Sequence, residues 1–431
     1  MNLKSRAGLI ALLALTTGAA HATPTFYNLG VLGAGGTYSR GTQVSADGWV
    51  VAGLADLHGD EFWGDRAFRW TLSGGMQALG VPSGCPWSAG NSISADGSTI
   101  AGNAGNHPYR QSISSGPQNL GQFAGGNSGL AFGLSGDGSI TVGYANDGSF
   151  TDRAFRWTSA GGMQSLGTLP GGGSGGSGAY GISSDGSTIV GTSAGSWANS
   201  HAFRWTSAGG MQDLGVLFGG DHSHAYSASA DGSAVAGFSN WVGDESSGYR
   251  AFRWTSAGGM QNLGVPPGAI HSYANVISGN GLVVAGQANY GVQNPSRPAL
   301  WSPPLGMVDL TAYLSAHGVN MTGWVLTDAR GLSADGSALS GTGLYNGLER
   351  AFLVRGLFGS ATCYANCDGS TAAPALNVLD FACFINRFTA GDPVANCDAS
   401  TTPPVLNVLD FEHGRRRGSD AVRHQIGRAH V

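Results

Sequence analysis

The amino-acid sequence predicts an all-β protein: a seven-bladed β-propeller of four-stranded blades, with its ring closed by the N-terminal strand. Three observations lead to this prediction. A Ser-X-Asp-Gly turn, or a close variant, occurs seven times, at intervals of about fifty residues, near the period of propeller blades. An aromatic strand and a strand ending in Leu-Gly follow most of these turns. One Leu-Gly strand is missing after the last turn, and an extra copy stands before the first.

Each repeat is predicted to form two β-hairpins, and residues 179–215 show the pattern most clearly. Asp185-Gly186 separates two β-rich runs, and this dipeptide favours a tight hairpin because the turn requires positive φ. Residues 207–210 join a second pair of strands, in which aromatic and polar residues alternate. A sheet of four short strands cannot bury both faces alone, so neighbouring repeats are expected to stack.

The positions of the repeats favour a closed ring. The seven turns are centred on Asp47, Asp96, Asp137, Asp185, Asp231, Asn280 and Asp335. The displaced Leu-Gly strand lies at residues 26–30, and pairing it with the last sheet completes seven sets of four strands without an exposed edge. An open solenoid is the alternative, but it gives no reason for the displacement. Six blades are a second alternative, because the unit around Asp96 is short and degenerate.

The tryptophans that recur in the third strands are expected to pack between blades rather than to bind a ligand, since each large aromatic side chain buries about 150–250 Å². They are Trp70, Trp157, Trp205, Trp254 and Trp301. An arginine precedes the tryptophan in four copies, at Arg69, Arg156, Arg204 and Arg253. These arginines could either stack on a neighbouring indole or extend into solvent, and the sequence favours neither interpretation.

The composition excludes several classes of protein. Of 431 residues, 74 are glycine and only 11% are charged, which fits many turns between short strands. The sequence has no Gly-X-Y period of the kind found in collagen, and the small net charge and the evenly spread aromatic residues argue against intrinsic disorder. The net charge of −5 provides no basic stripe for nucleic-acid binding.

Residues 1–22 are predicted to be a secretory signal peptide. Lys4 and Arg6 form its charged start, an apolar run extends over residues 7–20, and Ala20-His21-Ala22 provides a small-residue cleavage site. The apolar run is too short for a transmembrane helix, which needs about 20 residues. We therefore expect a secreted protein, extracellular or at the cell surface, without a membrane span.

The repeats resemble the extracellular HAF-repeat family, which is named for a tripeptide that occurs here as His201-Ala202-Phe203. The resemblance covers most of residues 26–358, and several copies have Arg-Ala-Phe instead. It implies an exported repeat protein with a propeller domain, which we place at residues 23–359. It implies no established activity.

The loops after the second and fourth strands of each blade are expected to lie on one face of the ring, hereafter the loop face. These loops vary in length and chemistry, and variable loops on a rigid scaffold are where function usually lies. Aromatic side chains there suit stacking on sugar rings and are common anchors at protein interfaces. We predict a non-enzymatic loop face that recognises extracellular polysaccharide or protein. The candidate ligand-binding residues are Trp63, Trp87, Trp197, Trp241, His222, His224, Tyr226 and Tyr273.

Two other functions stay open at this level. The first is a propeller enzyme acting on polysaccharide, as a glycoside hydrolase or lyase, and hydrolysis needs two carboxylates about 5–10 Å apart across the sugar. The acidic clusters to consider are Asp60, Glu61, Asp65, Asp244 and Glu245. A structural cell-surface protein is the other candidate. A metal site at His222 and His224, which share one face of a strand, lacks an identifiable third ligand.

Residues 360–411 contain a second kind of repeat. Asn366-Cys367-Asp368 and a following amphipathic run start again about 30 residues later at Asn396-Cys397-Asp398. The pair resembles dockerin-type modules. This resemblance implies a small α-helical module that binds Ca²⁺ and docks to a cohesin-like domain at a surface.

Asn, Asp and Ser side chains in these two loops provide the oxygen ligands that a hard cation prefers. The candidate metal ligands are Asn366, Asp368, Ser370, Asn377, Asp380, Asn396, Asp398, Ser400, Asn407 and Asp410. A disulfide-braced hairpin is the alternative, because prolines interrupt both loops. The pairing of Cys363, Cys367, Cys383 and Cys397 is open. The second copy breaks off, so residues 412–431 are predicted to be an aberrant or artefactual tail.

Overall fold

The computed structural model describes residues 23–57, 59, 64–171, 175–194, 200–242, 248–291 and 296–358. These residues form seven antiparallel four-stranded sheets, and the seven-bladed propeller is confirmed. The alternatives of an open solenoid and of six blades are wrong. The described residues contain no helix that is long and apolar enough to cross a membrane. The predicted signal peptide, C-terminal module and tail lie outside the described residues.

The chain starts with strand β1 (Thr25–Asn28), which belongs to the last blade, and then builds the blades in order. Blade 1 consists of β2 (Ser39–Val44), β3 (Val50–Asp56), β4 (Asp65–Thr71) and β5 (Gly75–Ala78). Blade 2 consists of β6 (Ser88–Ile93), β7 (Thr99–Ala104), β8 (His107–Ser112) and β9 (Gly116–Asn119). Blade 3 consists of β10 (Gly129–Leu134), β11 (Ile140–Asn146), β12 (Asp152–Thr158) and β13 (Gly162–Ser165).

The remaining blades repeat this plan. Blade 4 consists of β14 (Ser177–Ile182), β15 (Thr188–Ala194), β16 (Ser200–Thr206) and β17 (Gly210–Asp213). Blade 5 consists of β18 (Ser223–Ala228), β19 (Ala234–Trp241), β20 (Gly248–Thr255) and β21 (Gly259–Asn262). Blade 6 consists of β22 (His271–Ile277), β23 (Val284–Asn289), β24 (Arg297–Ser302) and β25 (Gly306–Asp309), followed by helix α1 (Leu310–Ala316). Blade 7 consists of β26 (Trp324–Leu332), β27 (Ala338–Tyr345), β28 (Leu348–Arg355) and β1.

Strand β1 closes the ring as predicted. It pairs antiparallel with β28, with Phe26 opposite Val354 and Asn28 opposite Phe352. The Phe26 ring stacks on Phe352 with 5.3 Å between centroids and meets Trp324 edge-on at 4.9 Å. The N-terminal strand thereby supplies the fourth strand of blade 7 and ties the two ends of the ring together.

The Ser-X-Asp-Gly turns share one hydrogen-bond pattern in all seven blades, with Asn280 in place of Asp in blade 6. In blade 2, Ser94 Oγ donates to Asp96 Oδ1 at 2.6 Å, and the Ser98 amide donates to the same oxygen at 2.9 Å. The Thr99 amide donates to Ser94 Oγ at 2.9 Å. Gly97 has a φ of 71°, which glycine adopts without strain. The motif therefore has a structural role, since it satisfies the polar groups of its own turn.

The same turns are joined to one another in a closed circle, hereafter the neck. Seven backbone hydrogen bonds of 2.8–3.1 Å connect neighbouring blades, and the seventh returns to blade 1. They run from Ala46 to Ala95, Ala95 to Gly136, Gly136 to Ser184, Asp185 to Ala230, Ala230 to Gly279, Asn280 to Ala334, and Ala334 to Ala46. The X residue of every turn is Ala, Gly or Ser, because adjacent backbones approach too closely here for a larger side chain.

Further out, polar and apolar contacts join each blade to the next. The Ala202 amide of blade 4 donates to Ser223 Oγ of blade 5 at 2.9 Å, and Ser223 Oγ donates to the Gly215 carbonyl at 2.6 Å. The two bonds use backbone groups of Ala202 and Gly215, and Gly215 has a φ of 75°, which favours glycine at this position. Equivalent bonds from the alanine amide occur at Ala67, Ala154, Ala251 and Ala351.

The predicted packing of tryptophan between blades is confirmed. Trp254 of blade 5 is buried against Val190 and Leu214 of blade 4, and Trp70 and Trp301 occupy corresponding clusters. The recurring arginines have a partner that was not predicted. Arg69, Arg204 and Arg253 donate through Nε to the glycine carbonyls of the next blade's turn, Gly97, Gly232 and Gly281, at 2.7–3.3 Å.

Gly279→Val is expected to destabilise the neck. A Cβ atom at position 279 would lie 3.0 Å from the Cα and O atoms of Ala334 in the next blade, so a branched side chain must push the two turns apart. We expect the free energy of unfolding to fall by about 2 kcal/mol, as is usual for overpacking, in urea unfolding followed by tryptophan fluorescence.

Gly148→Val is the matched control for this measurement. A Cβ atom at position 148 has no neighbour closer than 3.5 Å, so we expect a change of less than about 0.5 kcal/mol. Equal losses in the two variants would contradict the special role of the neck.

Candidate functional site

The inner strands enclose a central cavity of about 680 Å³, which lies in the usual range for ligand sites of about 300–1,000 Å³. Its lining comes from the first strand of all seven blades. These strands start at the loop face and end at the turns, so the cavity opens at the loop face and narrows to the neck. A mostly aliphatic belt lies just above the neck, formed by Val44, Ile93, Leu134, Ile182, Ala228, Ile277 and Leu332.

Every inner strand carries a one-residue β-bulge at the same place, and the bulged residue lines the cavity. In β14, Ala179 pairs with Gly191 and Gly181 pairs with Val190, which leaves Tyr180 between them without a partner. A bulge re-aims the side chain of its extra residue. The seven residues in this position, hereafter the bulge ring, are Thr42, Asn91, Phe132, Tyr180, Tyr226, Asn275 and Arg330.

One side of the bulge ring is aromatic over three successive blades. Phe132 meets Tyr180 edge-on with 5.3 Å between centroids, and Tyr180 meets Tyr226 edge-on at 5.4 Å. Phe238 of β19 continues this surface toward the loop face, 5.8 Å from Tyr226 and 5.0 Å from Tyr273. These five residues all line the cavity and are hereafter the aromatic wall. Each such contact contributes about 0.5–1.5 kcal/mol beyond area burial, so the wall is rigid.

A second layer of rings supports the aromatic wall from behind. His224 stacks on Phe238 with 4.8 Å between centroids and an interplanar angle of 11°. Tyr249 of β20 meets Phe238 at 5.4 Å and Tyr273 at 5.6 Å. His222 meets Tyr249 at 5.4 Å. The wall is therefore held by blade 5, whose two histidines and tyrosine lie beside it.

Burial sets the protonation states of these groups. It raises the pKa of Tyr180 to about 12 and also raises the pKa values of Tyr226 and Tyr273, so the phenols stay neutral and can donate hydrogen bonds. Burial, assisted by the neighbouring His222, lowers the pKa of His224 to about 4. Neutral His224 places Nδ1 2.9 Å from Thr192 Oγ1.

The other side of the bulge ring is polar and joins the inner strands of neighbouring blades. Thr42 Oγ1 donates to the Gly90 carbonyl of blade 2 at 2.7 Å. Asn91 Nδ2 donates to the Ala131 carbonyl of blade 3 at 2.8 Å. Asn275 Nδ2 donates to the Ala329 carbonyl of blade 7 at 3.1 Å. The acceptor each time is the residue just before the next bulge, so these side chains join neighbouring blades, while their oxygens keep the capacity to accept a hydrogen bond.

The structure brings together four of the eight candidate ligand-binding residues. Tyr226 and Tyr273 line the cavity, and His222 and His224 lie in the layer behind it. Trp87 and Trp241 are half-buried and are not among the lining residues; the Arg250 guanidinium lies 5.1 Å above the Trp241 ring. Trp63, Trp197 and the ten candidate metal ligands lie outside the described residues.

Sequence reasoning missed Phe132, Tyr180, Phe238 and Arg330, because it looked for function in the loops rather than in the inner strands. A signal was present. Each bulge residue stands three positions before the serine of the Ser-X-Asp-Gly turn. This position varies among Thr, Asn, Phe, Tyr and Arg, whereas the residue before it is always Gly or Ala and the residue two positions after it is always aliphatic.

Among the described residues, neither the acidic candidates for an enzyme nor the histidine candidates for a metal site come together in an assembled site. Asp65 accepts a hydrogen bond from the Tyr38 hydroxyl, while Asp60, Glu61, Asp244 and Glu245 lie outside the described residues. His222 Nδ1 lies 2.7 Å from Asp221 Oδ1, but His224 turns to Thr192. Within the described ranges, no group of three or more His, Cys, Asp or Glu side chains comes together to hold a metal.

Comparisons with known proteins support the fold. No family model matches the chain, and no curated protein matches it. An oligogalacturonate lyase from Vibrio parahaemolyticus has a similar structure, with 12% sequence identity, a TM-score of 0.52, and coverage of 78% of this chain and 97% of the lyase. An oligogalacturonate lyase in complex with manganese is also similar, with 12% identity, a TM-score of 0.51, and coverage of 77% of this chain and 96% of that lyase.

A third solved structure is TolB from Acinetobacter baumannii, with 17% identity and a TM-score of 0.41 over 60% of this chain. The chain spans 62% of the length of that TolB structure. The similarity to the two lyases shows the propeller fold alone.

Acidification is expected to weaken the support of the aromatic wall through His224. Its pKa is lowered in the folded protein to about 4, against about 6.5 in an unfolded chain. As the pH falls from about 6.5 to about 4, the unfolded chain takes up a proton that folded His224 resists, so stability falls over this window. We expect a loss of about 2 kcal/mol from this group, after allowance for its partial exposure.

The measurement is the free energy of unfolding as a function of pH for the parent and for His224→Gln. The variant should lose less stability than the parent between pH 6.5 and 4, whereas Tyr273→Phe, which keeps the histidine, should follow the parent. Parallel pH curves for parent and His224→Gln would refute this assignment.

Proposed function

We propose that this protein is a secreted, non-enzymatic binding protein whose propeller takes up a carbohydrate ligand in the central cavity from the loop face. The observation that carries the proposal is the aromatic wall, which faces a polar half of the same ring. A sugar ring has an apolar C–H face and a polar hydroxyl edge. The rings of the aromatic wall offer apolar surface to the C–H face, and the polar half of the bulge ring offers hydrogen-bonding groups to the hydroxyls.

The neutral phenols support this proposal. Tyr180 and Tyr226 keep their protons because burial raises their pKa values, so each combines an apolar ring with a hydroxyl donor. Their rings are already fixed by edge-on contacts with one another. A ligand therefore meets a preorganised surface and orders few side chains on binding.

Export and surface docking belong to the same proposal and rest on the sequence. Residues 1–22 would direct secretion, as the resemblance to the HAF-repeat family also implies. The dockerin-like pair at 360–411 would bind Ca²⁺ through the candidate ligands given above and attach the propeller to a cohesin-like partner. Calcium titration of the full chain, followed by circular dichroism, tests whether the dockerin-like pair binds Ca²⁺.

A propeller enzyme acting on polysaccharide is the second candidate function. Two of the structures with a similar fold are oligogalacturonate lyases. Asp65, with the Tyr38 hydroxyl as its partner, is the described carboxylate from which such a site would be built. Release of shortened or unsaturated sugars from a polysaccharide, and its loss in Asp65→Asn, would favour this candidate over binding alone.

Replacement of Tyr226 or Tyr180 by Ala is expected to weaken carbohydrate binding. Each change removes one ring of the aromatic wall. We expect the affinity to fall by about tenfold or more in each variant, because this is the scale of a lost aromatic contact. The measurement is a glycan array with the full chain, followed by isothermal titration with the tightest oligosaccharide.

Phe218→Ala and Trp241→Ala are the matched controls. Both residues lie on the loop-face side, Phe218 is 81% exposed, and neither lines the cavity. Retained affinity in these controls with loss in the tyrosine variants supports the cavity. Loss in Trp241→Ala with full binding by the tyrosine variants would instead assign recognition to the outer loops, and an array without any binding would refute the carbohydrate proposal.

A further inference from the structure

Arg330 distinguishes the polar half of the cavity from an ordinary neutral sugar site. Among the described residues that line the cavity, it is the one with a formal charge. Its position is the bulge of β26, equivalent to Tyr226 in β18 and Thr42 in β2. The scaffold accepts a small neutral residue at this position in blade 1, so the bulge and the turn by themselves do not require an arginine in blade 7.

The guanidinium of Arg330 is fixed in place by a buried carboxylate. Arg330 Nε donates to Asp328 Oδ2, and Asn275 Nδ2 donates to Asp328 Oδ1 at 3.2 Å. The Asp328 side chain is 11% exposed, whereas that of Arg330 is 55% exposed. The ion pair therefore presents its cationic partner to the cavity and hides its anionic partner.

The terminal nitrogens of Arg330 are available for a ligand. In the described part of the chain, neither of them has a hydrogen-bond partner, since the one bond of this side chain uses Nε. Arginine offers planar pairs of N–H donors that match a carboxylate, and it keeps its charge at all relevant pH values. Because Asp328 offsets the net charge, recognition depends on these directed donors more than on long-range attraction.

The aromatic wall lies within electrostatic reach of this guanidinium. The Arg330 charge acts on the Tyr226 phenol, where it opposes the rise in pKa that burial causes. Tyr226 and Arg330 also occupy the same bulge position, in blades 5 and 7, and line the same cavity, so a ligand that stacks against Tyr226 inside the cavity can extend to Arg330. The other polar members of the bulge ring, Thr42, Asn91 and Asn275, use their donor groups on backbone carbonyls, and so leave Arg330 as the strong free donor.

We propose that the cavity selects an acidic sugar, in which a uronic-acid ring stacks on the aromatic wall while its carboxylate binds the Nη groups of Arg330. This inference rests on the proposed carbohydrate function and adds the chemical class of the ligand. Arg330 determines specificity for the charged group, and Tyr180 and Tyr226 determine affinity for the ring.

The test compares matched pairs of ligands by isothermal titration with the full chain. The probes are trimers of galacturonic, glucuronic and mannuronic acid, each paired with its neutral carboxyl-reduced counterpart, which has the same stereochemistry but CH₂OH in place of the carboxylate. For at least one pair, we expect the acid to bind about thirtyfold tighter or more, as suits a charge-assisted bidentate contact. Galactose 6-phosphate is included because a phosphate could reach the same arginine.

Arg330→Gln is expected to abolish the preference for the acid, so that within this variant the acid and its neutral counterpart bind with equal affinity. Arg330→Lys, which keeps the charge but loses the planar pair of donors, should recover only part of the preference. Arg297→Gln is the control, because Arg297 lies outside the cavity lining and pairs with Asp309; it should retain the full preference. Thermal unfolding of each variant verifies that the propeller remains folded.

The outcomes separate the two proposals. Binding of neutral trimers with equal or lower affinity for the acids overturns the uronate inference and leaves the carbohydrate function standing. A preference that persists in Arg330→Gln, or tighter binding of the sugar phosphate than of any uronate, also overturns it. Failure of all sugars, charged and neutral, overturns both proposals.

Discussion

The circle of seven backbone hydrogen bonds at the neck is the constraint on which the rest of this structure depends. Each Ser-X-Asp-Gly turn satisfies its own polar groups through the serine and aspartate side chains, which leaves backbone groups free for the neighbouring blades. The X carbonyl accepts in every blade, while the donor is the X amide in five blades and the amide of Asp185 or Asn280 in the other two. The circle closes with the bond from Ala334 of blade 7 back to Ala46 of blade 1. It therefore fixes the spacing and direction of all inner strands, and with them the shape of the cavity.

The regular scaffold leaves the bulge position of the inner strands free to vary. Above the neck, small residues allow adjacent inner strands to approach closely: a Cβ atom at Gly181 would lie 2.5 Å from the Tyr226 carbonyl oxygen. The bulge residue is the exception, because its side chain turns into the cavity and not into the seam between blades. The chain uses polar residues there to bond to the next blade and aromatic residues to contact each other. The bulge ring therefore has an aromatic half and a polar half, carried by seven nearly equivalent inner strands.

The sequence was sufficient to predict the fold, because the information lies in local repeats. Asp-Gly turns, Leu-Gly strands and the displaced copy at residues 26–30 determine blade number and closure without reference to distant contacts. The candidate site was predicted only in part. Tyr226 and Tyr273 were identified as aromatic residues near loops, but Tyr180 and Arg330 were not, since a bulge depends on the register between two strands. Register shifts of one residue cannot be read from alternation alone, although the fixed spacing to the turn serine marks the position.

The central claim is that a ligand binds inside the cavity against the aromatic wall. Hydroxyl-radical footprinting of the full chain by mass spectrometry, with and without a saturating uronic-acid trimer and with the radical dose matched, tests it most directly. The account predicts that Tyr180, Tyr226 and Tyr273 lose reactivity when the ligand is bound, while Trp87 and Trp241 keep theirs. Protection of the two tryptophans with unchanged tyrosines would contradict the account and return recognition to the outer loops.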